Sequence, residues 1–392
     1  MTVPDALALP PHDASRGAAA RRAATPAVRA SRVRRCAFGT FALLRARRTL
    51  PIERSTSISR LDTRTLRPRH VSGKTGVRQH SDVIVICGEA LVDLVPHPAT
   101  PTRFDARAGG SPSNTAVALA RLGSPVAMLA RLGSDGFGRM LRSHLVDNGV
   151  DVSHAVDAAE PSSVAIATVA ADGSADYRFL VAGTADWGWT DTELGQLPEG
   201  AVAVHGGSLA LMLAPGGPAV ERMLIRARTT CTVSLDPNIR TALATNLAAH
   251  RDTVERCVAA ADIVKVSVED LDALHPGERA SDVAQRWVRH GPALVVITDG
   301  GAGSRAVTAT GESSCPAVPV NVVDTIGAGD TFAGALLDWL YRAGKLGGRL
   351  TDLAESDVVA ALTHASSAAA ITCSRAGADP PYRDELLEAA GP

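Results

Sequence analysis

From residue 83 onward the apolar positions fall into short runs separated by amphipathic stretches. Val83-Ile84-Val85-Ile86-Cys87 is unbroken and mostly β-branched, the pattern of a strand buried on both faces. Residues 88–95 continue as a second extended piece. Residues 115–122 predict a helix stopped by Gly123, 126–132 a strand, and 138–148 an amphipathic helix ending before Gly149. Residues 164–171 and 175–181, joined by Asp172-Gly173, predict a β-hairpin. Strands at 201–205, 232–235, 263–266 and 294–298 then alternate with helices at 218–229 and 281–290. Residues 317–323 read as a further strand, followed by a glycine turn and a helix over 333–341. The alternation predicts a mostly parallel α/β sheet flanked by helices. Segments near 92–107 and 164–185 do not fit it, and predict a small β lid over that sheet.

Charge divides the 392-residue chain. Residues 1–80 carry 17 basic against 4 acidic side chains, a formal +13, and the remainder carries −14. The first segment is rich in Arg, Ala, Ser, Thr and Pro and has little apolar surface to bury, a composition that implies disorder. It reads as a basic tail, as an Arg-rich targeting peptide, or as upstream sequence translated ahead of the true start, with the last favoured. That start would lie near Val71 or Val77, because no Met stands between Met1 and Met128. The boundaries expected are therefore 1–80 for the extension and 81–392 for one catalytic domain. No apolar run approaches the ~20 residues that span a bilayer, so no membrane partner is expected. Six scattered cysteines without metal spacing point to reduced thiols and a cytoplasmic protein.

Asp324-Thr325-Ile326-Gly327-Ala328-Gly329-Asp330 joins an apolar run to a helix start. Unpaired amides of a first helical turn and the helix dipole favour an anion there, and Gly327 and Gly329 let one approach the backbone. A carboxylate at Asp330 would repel a phosphate. It makes sense as the base that takes a proton from a hydroxyl attacking that phosphate. A glycine-rich cap with a chance acid is the bland alternative.

Five further constellations stand at predicted strand ends or helix starts. Gly109-Gly110-Ser111-Pro112-Ser113-Asn114 combines close backbone approach with a side chain that both donates and accepts, as a polyol requires. It is equally a loop capped by Ser113 or Asn114. Asp93 follows the first strand, where open α/β sheets bind ligands, and a solvated loop acid is the alternative. Asp236-Pro237-Asn238-Ile239-Arg240 offers a guanidinium suited to charge on a phosphoryl group, or else a turn with an exposed Arg. Lys265-Val266-Ser267-Val268-Glu269-Asp270 places acids that could order magnesium through water, or that simply stabilise a helix dipole. Thr298-Asp299-Gly300-Gly301-Ala302-Gly303 suits a nucleotide phosphate or ribose, and a hairpin turn equally.

Taken together, residues 83 to about 382 resemble the pfkB, or ribokinase-like, family of sugar kinases. The DTIGAGD and GGSPSN segments resemble its two signatures, and GEALVDL, the DPNIR segment and the Ser-Pro-Ser-Asn wording are most similar to bacterial fructokinases. The resemblance implies the ribokinase-like fold and transfer of the γ-phosphoryl group of ATP to a sugar primary hydroxyl, with D-fructose as the first candidate. It implies Asp330 as base, and Gly327, Ala328, Gly329 and Arg240 around the transferred group. Asp93, Gly109, Gly110, Asn114 and Arg178 would meet the sugar. Asn238, Lys265, Ser267, Thr298, Gly300, Gly303, Thr325, Gly327 and Gly329 would meet ATP. Magnesium would be ordered by Glu269 or Asp270 through water, since Ser267 and Asp270 stand where the family commonly has Asn and Glu. The loop at residues 373–378 resembles one beside adenine and a monovalent-cation site, implying potassium. A homodimer is expected from relatives, and nucleic acid is not expected as a partner. Ribokinase, 2-keto-3-deoxygluconate kinase and a non-catalytic sugar sensor are the alternatives. A nucleoside acceptor would call for stacking aromatics, which are scarce. No GxGxxG follows the first strand, which disfavours a dinucleotide-binding dehydrogenase.

Overall fold

The computed structural model describes residues 82–97, 100–169, 175–244, 246–351 and 353–390. The basic extension and the Asp172-Gly173 turn lie outside the described residues. The strands are β1 (Val83–Cys87), β2 (Leu91–His97), β3 (Thr100–Gly109), β4 (Val126–Leu129), β5 (Arg131–Gly133), β6 (Val156–Ala158), β7 (Val164–Val169), β8 (Ala175–Leu180), β9 (Ala201–Gly207), β10 (Thr232–Asp236), β11 (Ile263–Ser267), β12 (Leu294–Thr298), β13 (Ser304–Thr308) and β14 (Gly311–Cys315). The helices are α1 (Ser111–Arg121), α2 (Gly136–Asp147), α3 (Ser208–Met212), α4 (Gly217–Ala227), α5 (Leu247–Ala260), α6 (Val268–Leu274), α7 (Ala280–Val288), α8 (Ala328–Arg342), α9 (Glu355–Cys373) and α10 (Arg383–Ala390).

Eight strands form the main sheet in the order β14-β13-β12-β11-β10-β9-β1-β4. It is parallel from β4 to β12, with an antiparallel hairpin, β13–β14, added at one edge. Strand alternation sorts the core onto its two faces. Ile84 and Ile86 join Leu119 of α1, Leu336 and Leu340 of α8 and Leu362 of α9. Val85 and Cys87 join Val220 and Leu224 of α4, Val254 of α5 and Trp287 of α7. Both faces are covered, which is why these strands read as unbroken apolar runs. Truncating such a leucine to alanine typically costs about 2–5 kcal/mol.

A separate four-stranded sheet has the order β3-β2-β7-β8. It contains the extended piece after β1 and the expected hairpin, whose strands pair antiparallel from Val164 opposite Leu180 to Val169 opposite Ala175. Two expectations are corrected. Residues 126–132 are two strands, because β4 pairs with β1 in the main sheet whereas β5 pairs with β6. Residues 317–323 are not a strand. They join no strand ladder, and their alternate valines line a pocket instead. Helix α1 also begins four residues earlier than expected and α8 five residues earlier. Among the described residues, no helix is long and apolar enough to cross a membrane.

Candidate active site

Helix α8 begins at a left-handed residue. Gly327 is its N-cap with φ 75°, a conformation that favours glycine. A Cβ built there would lie 2.5 Å from Ala378 Cβ and 2.9 Å from its Cα, so the turn is pressed against the C-terminal loop. That loop is tied to the turn by Gly377 N–H donating to Asp324 Oδ2 at 2.8 Å, and by Val323 N–H donating to Cys373 O at 2.8 Å. The Ala328 amide already donates to Thr325 O at 3.2 Å. Open donors at this helix start therefore have to come from its other amides, Ala328 being at best shared.

Asp330, in the first turn of α8, is buried, with 8 % of its surface exposed. Helix α1 supplies its partners. Ser111 Oγ donates to Asp330 Oδ1 at 2.7 Å and Asn114 Nδ2 donates to Oδ2 at 2.8 Å. Thr115 Oγ1 donates to the Asp330 carbonyl at 3.3 Å. Ser111 and Asn114 are three residues apart, so one helix face carries both. Gly110, with φ 100°, is the N-cap of α1, and a Cβ there would lie 2.6 Å from the Glu89 carbonyl oxygen. Gly109 gives space to Asp93, whose Oδ2 lies 2.1 Å from the position of a Cβ there. Burial raises the Asp93 carboxyl to about 6, helped by the charge of Asp330 and opposed by Arg240 and Arg107.

Two cavities meet at this turn. A cleft of about 550 Å3 is lined by Asp93, Gly110, Asn114, Asn238, Arg240, Lys265, Thr325, Gly327, Gly329 and Asp330, together with Glu89, Ser111, Tyr177 and Phe179. A more apolar pocket of about 340 Å3 is lined by Thr298, Gly300, Gly303, Thr325, Ala328 and Gly329, with Val318, Val320, Val322 and Phe332. Thr325 and Gly329 belong to both. A hydroxyl compound in the cleft and an anhydride reaching in from the pocket would face each other across the α8 N-terminus, with Asp330 on the cleft side. Asn238, at φ 40°, accepts from Arg240 Nη1 at 2.5 Å through Oδ1, which holds the guanidinium over the cleft.

Other sequence candidates fall elsewhere. Arg178 is exposed and does not line the cleft. Strand alternation puts Tyr177 and Phe179 on the cleft side and Arg178 on the opposite face of β8, so a sugar contact by Arg178 is not what this strand presents. Ser267 and Asp270 form the capping box of α6, with Asp270 N–H donating to Ser267 Oγ at 3.0 Å and Ser267 Oγ donating to Asp270 Oδ2 at 2.8 Å. The other Asp270 oxygen accepts from Ile239 N–H at 2.7 Å. Asp270 is thus committed to the fold, while Glu269 is exposed beside it. Among the described residues, no group of three or more His, Cys, Asp or Glu side chains could hold a metal by itself. This donor set fits a cation carried on phosphates and touched through water, not one caged by protein.

Several contributors escaped sequence reasoning. Ser111 could have been found from its spacing to Asn114. Tyr177 and Phe179, ring centroids 6.2 Å apart, place two of the chain's few aromatics at the cleft, and their i, i+2 spacing on a strand was the available signal. Glu89, buried behind the cleft, accepts from Ser208 Oγ at 2.6 Å and from Ala210 N–H at 3.2 Å. Only the fold brings it to those partners, more than a hundred residues away.

The family model described as "pfkB family carbohydrate kinase" matches residues 82–385. A fructokinase of Rhizobium leguminosarum bv. trifolii is 37 % identical over 257 residues, covering 65 % of this chain and 78 % of the relative. The solved structure of a fructokinase with bound ATP from Xylella fastidiosa superposes with a TM-score of 0.73 at 28 % identity, covering 78 % of this chain and 97 % of that one. A fructokinase double mutant from Vibrio cholerae O395, solved with fructose, ADP and potassium ion bound, superposes with a TM-score of 0.69 at 27 % identity, covering the same shares.

Proposed function

The chain belongs to the pfkB family of carbohydrate kinases, and we propose that it transfers the γ-phosphoryl group of ATP to the primary hydroxyl of D-fructose, giving fructose 6-phosphate. The observation that carries this reading is Asp330. It stands at the junction of a polar cleft and an apolar pocket, with both oxygens oriented by Ser111 and Asn114.

The sugar sits in the cleft between α1 and the four-stranded sheet. Asp93, Gly110 and Asn114 meet its hydroxyls, and Tyr177 and Phe179 cover its apolar C–H face. The adenine lies among Val318, Val320 and Val322, with Thr298, Gly300 and Gly303 along the ribose and phosphates. This puts the γ-phosphoryl group at Thr325 and Gly329. Asp330 accepts the proton as the hydroxyl oxygen attacks in line. The α8 N-terminus, Lys265 and Arg240 stabilise charge on the group in flight. Magnesium, carried on the phosphates, would neutralise charge there, with the exposed Glu269 in the first turn of α6 as the candidate to order its waters. Potassium, by the same resemblance, would sit near the junction of Asp324 with the residue 373–378 loop, where the Asp324 carboxylate supplies negative charge. The four-stranded sheet acts as a lid that excludes water, protecting ATP from hydrolysis.

Initial rates of ADP release with MgATP and a sugar panel test the reading. The expected result is a kcat/KM for fructose at least tenfold above ribose and 2-keto-3-deoxygluconate. A higher value for either would move the acceptor, and no turnover on any sugar would overturn the kinase reading.

A further inference from the structure

Asp236 closes β10 and Lys265 stands in the middle of β11. Leu235 lies beside Val264 in this parallel pair, so Asp236 and Lys265 are the next neighbours on one row. Lys265 Nζ donates to Asp236 Oδ2 at 2.8 Å. Both are buried, with 5 % and 2 % of their surfaces exposed. The second oxygen, Asp236 Oδ1, is buried and accepts from no protein group among the described residues. On its other side the ammonium lies 3.1 Å from the position of a Cβ on Gly329. Because Gly329 has no side chain, the ammonium faces the turn where cleft and pocket meet.

A buried ammonium is costly unless compensated, and an ion pair of this kind adds little to stability over an apolar pair of similar shape. Burial works against the Lys265 charge, but Asp236, Asp270 and Asp330 outweigh it and hold the lysine protonated. The arrangement therefore maintains a fixed, dry positive charge under the phosphoryl turn, where a preorganised charge is most effective.

We propose that Asp236 is a positioning residue for phosphoryl transfer, holding Lys265 charged and aimed past Gly329 at the transferred group. The proposal rests on the kinase reading above. As the bond to the leaving ADP oxygen lengthens, the Lys265 N–H groups not held by Asp236 turn to the phosphate oxygens. No proton is exchanged, and the carboxylate keeps the ammonium from leaning into the cleft before ATP arrives.

Asp236→Asn, Lys265→Met and the double variant are assayed for turnover with MgATP and fructose. Calorimetry measures their affinity for adenylyl imidodiphosphate against ADP. Asp236→Asn is expected to lower kcat about 100-fold with the KM for fructose within threefold. The double variant should be no slower than Lys265→Met alone, since Asp236 acts through the lysine. Each variant should bind the triphosphate analogue more weakly, relative to ADP, than the parent does. A kcat for Asp236→Asn within threefold of the parent, or losses that multiply in the double variant, would overturn the proposal. If Asp236→Asn does not fold, Asp236→Glu carries the test. It keeps the charge but displaces it by one methylene, so a tenfold loss of kcat supports the proposal and an unchanged kcat overturns it. If the parent phosphorylates no sugar, the kinase reading fails, and the analogue binding of the same variants still decides the role of Asp236.

Discussion

Asn114 and Asp330, 216 residues apart in the chain, meet at 2.8 Å where the N-termini of α1 and α8 converge. The helices can approach because Gly334 has no side chain, a Cβ there falling 2.9 Å from Ala118 Cβ and 3.0 Å from the Thr115 carbonyl. Helix α1 and the Asp330 carboxylate are thus one mechanical unit. Asn114→Ala should lower kcat/KM for the sugar by about 100-fold, because it removes both a hydroxyl partner and the amide that aims the base. Ser111→Ala should lower it about tenfold. Steady-state kinetics on the two variants checks the order, and a Ser111→Ala loss exceeding that of Asn114→Ala would contradict it.

Gly327→Ala tests the turn. The substituted residue must hold φ near 75° with its methyl group against the Ala378 backbone, costing about 1–3 kcal/mol or shifting the C-terminal loop. The expected result is a lower melting temperature together with weakened ATP binding. Unchanged values for both would mean that the two loops are not pressed together as described.

The alternation of β8 separates two neighbouring residues. Tyr177→Ala should raise the KM for the sugar several-fold, because the ring lines the cleft. Arg178→Ala, on the other face, should leave KM within twofold. The reverse pattern would show that β8 presents its other face when the lid closes.

Stability should fall between about pH 6.5 and 8 because of Glu89. Burial raises its folded pKa from 4.5 to about 7, the nearby Asp186 carboxylate adding to the effect while Ser208 and Ala210 oppose it. The folded state then holds a proton that the unfolded chain has released. Its contribution is complete below pH 4.5 and is lost as pH rises through 7, about 1 kcal/mol of it above pH 6.5. His205 runs the other way. Burial and the Lys265 charge lower it to about 3, so most of its favourable change comes below pH 6.5, and the roughly 0.4 kcal/mol still gained above that offsets only part of the Glu89 loss. Asp93, Asp186 and Asp236, each raised to about 6 chiefly by burial, have largely lost their contribution before pH 7. Melting temperatures of Glu89→Gln at pH 6.5, 7.2 and 8 should be flatter than those of the parent, and an equal slope would remove Glu89 as the cause.

The parallel sheet was legible because strands buried on both faces leave apolar runs such as residues 83–87. The turn at the start of α8 was legible because it carries glycine at Gly327 and Gly329, with an acid beside them. The differences between pattern and placement have physical causes too. Residues 317–323 carry the apolar pattern of a strand because their valines line a pocket, and composition does not distinguish a ladder from a pocket wall. The Arg178 expectation rested on a segment's resemblance without its register, and one residue of register reverses the face. Asp270 looked like a metal acid in sequence, but the Ile239 amide and the Ser267 cap claim both its oxygens. The Asp236–Lys265 pair depends on which strands are neighbours, and local pattern does not encode that.

The most direct test of the account is turnover by Asp330→Asn with MgATP and fructose, alongside ATP affinity. Asparagine keeps the shape of the side chain but is a far weaker base. The account predicts a fall in kcat of about 10^3-fold or more with ATP affinity unchanged. Turnover within tenfold of the parent would contradict Asp330 as the base, and with it the mechanism built on the junction of the two cavities.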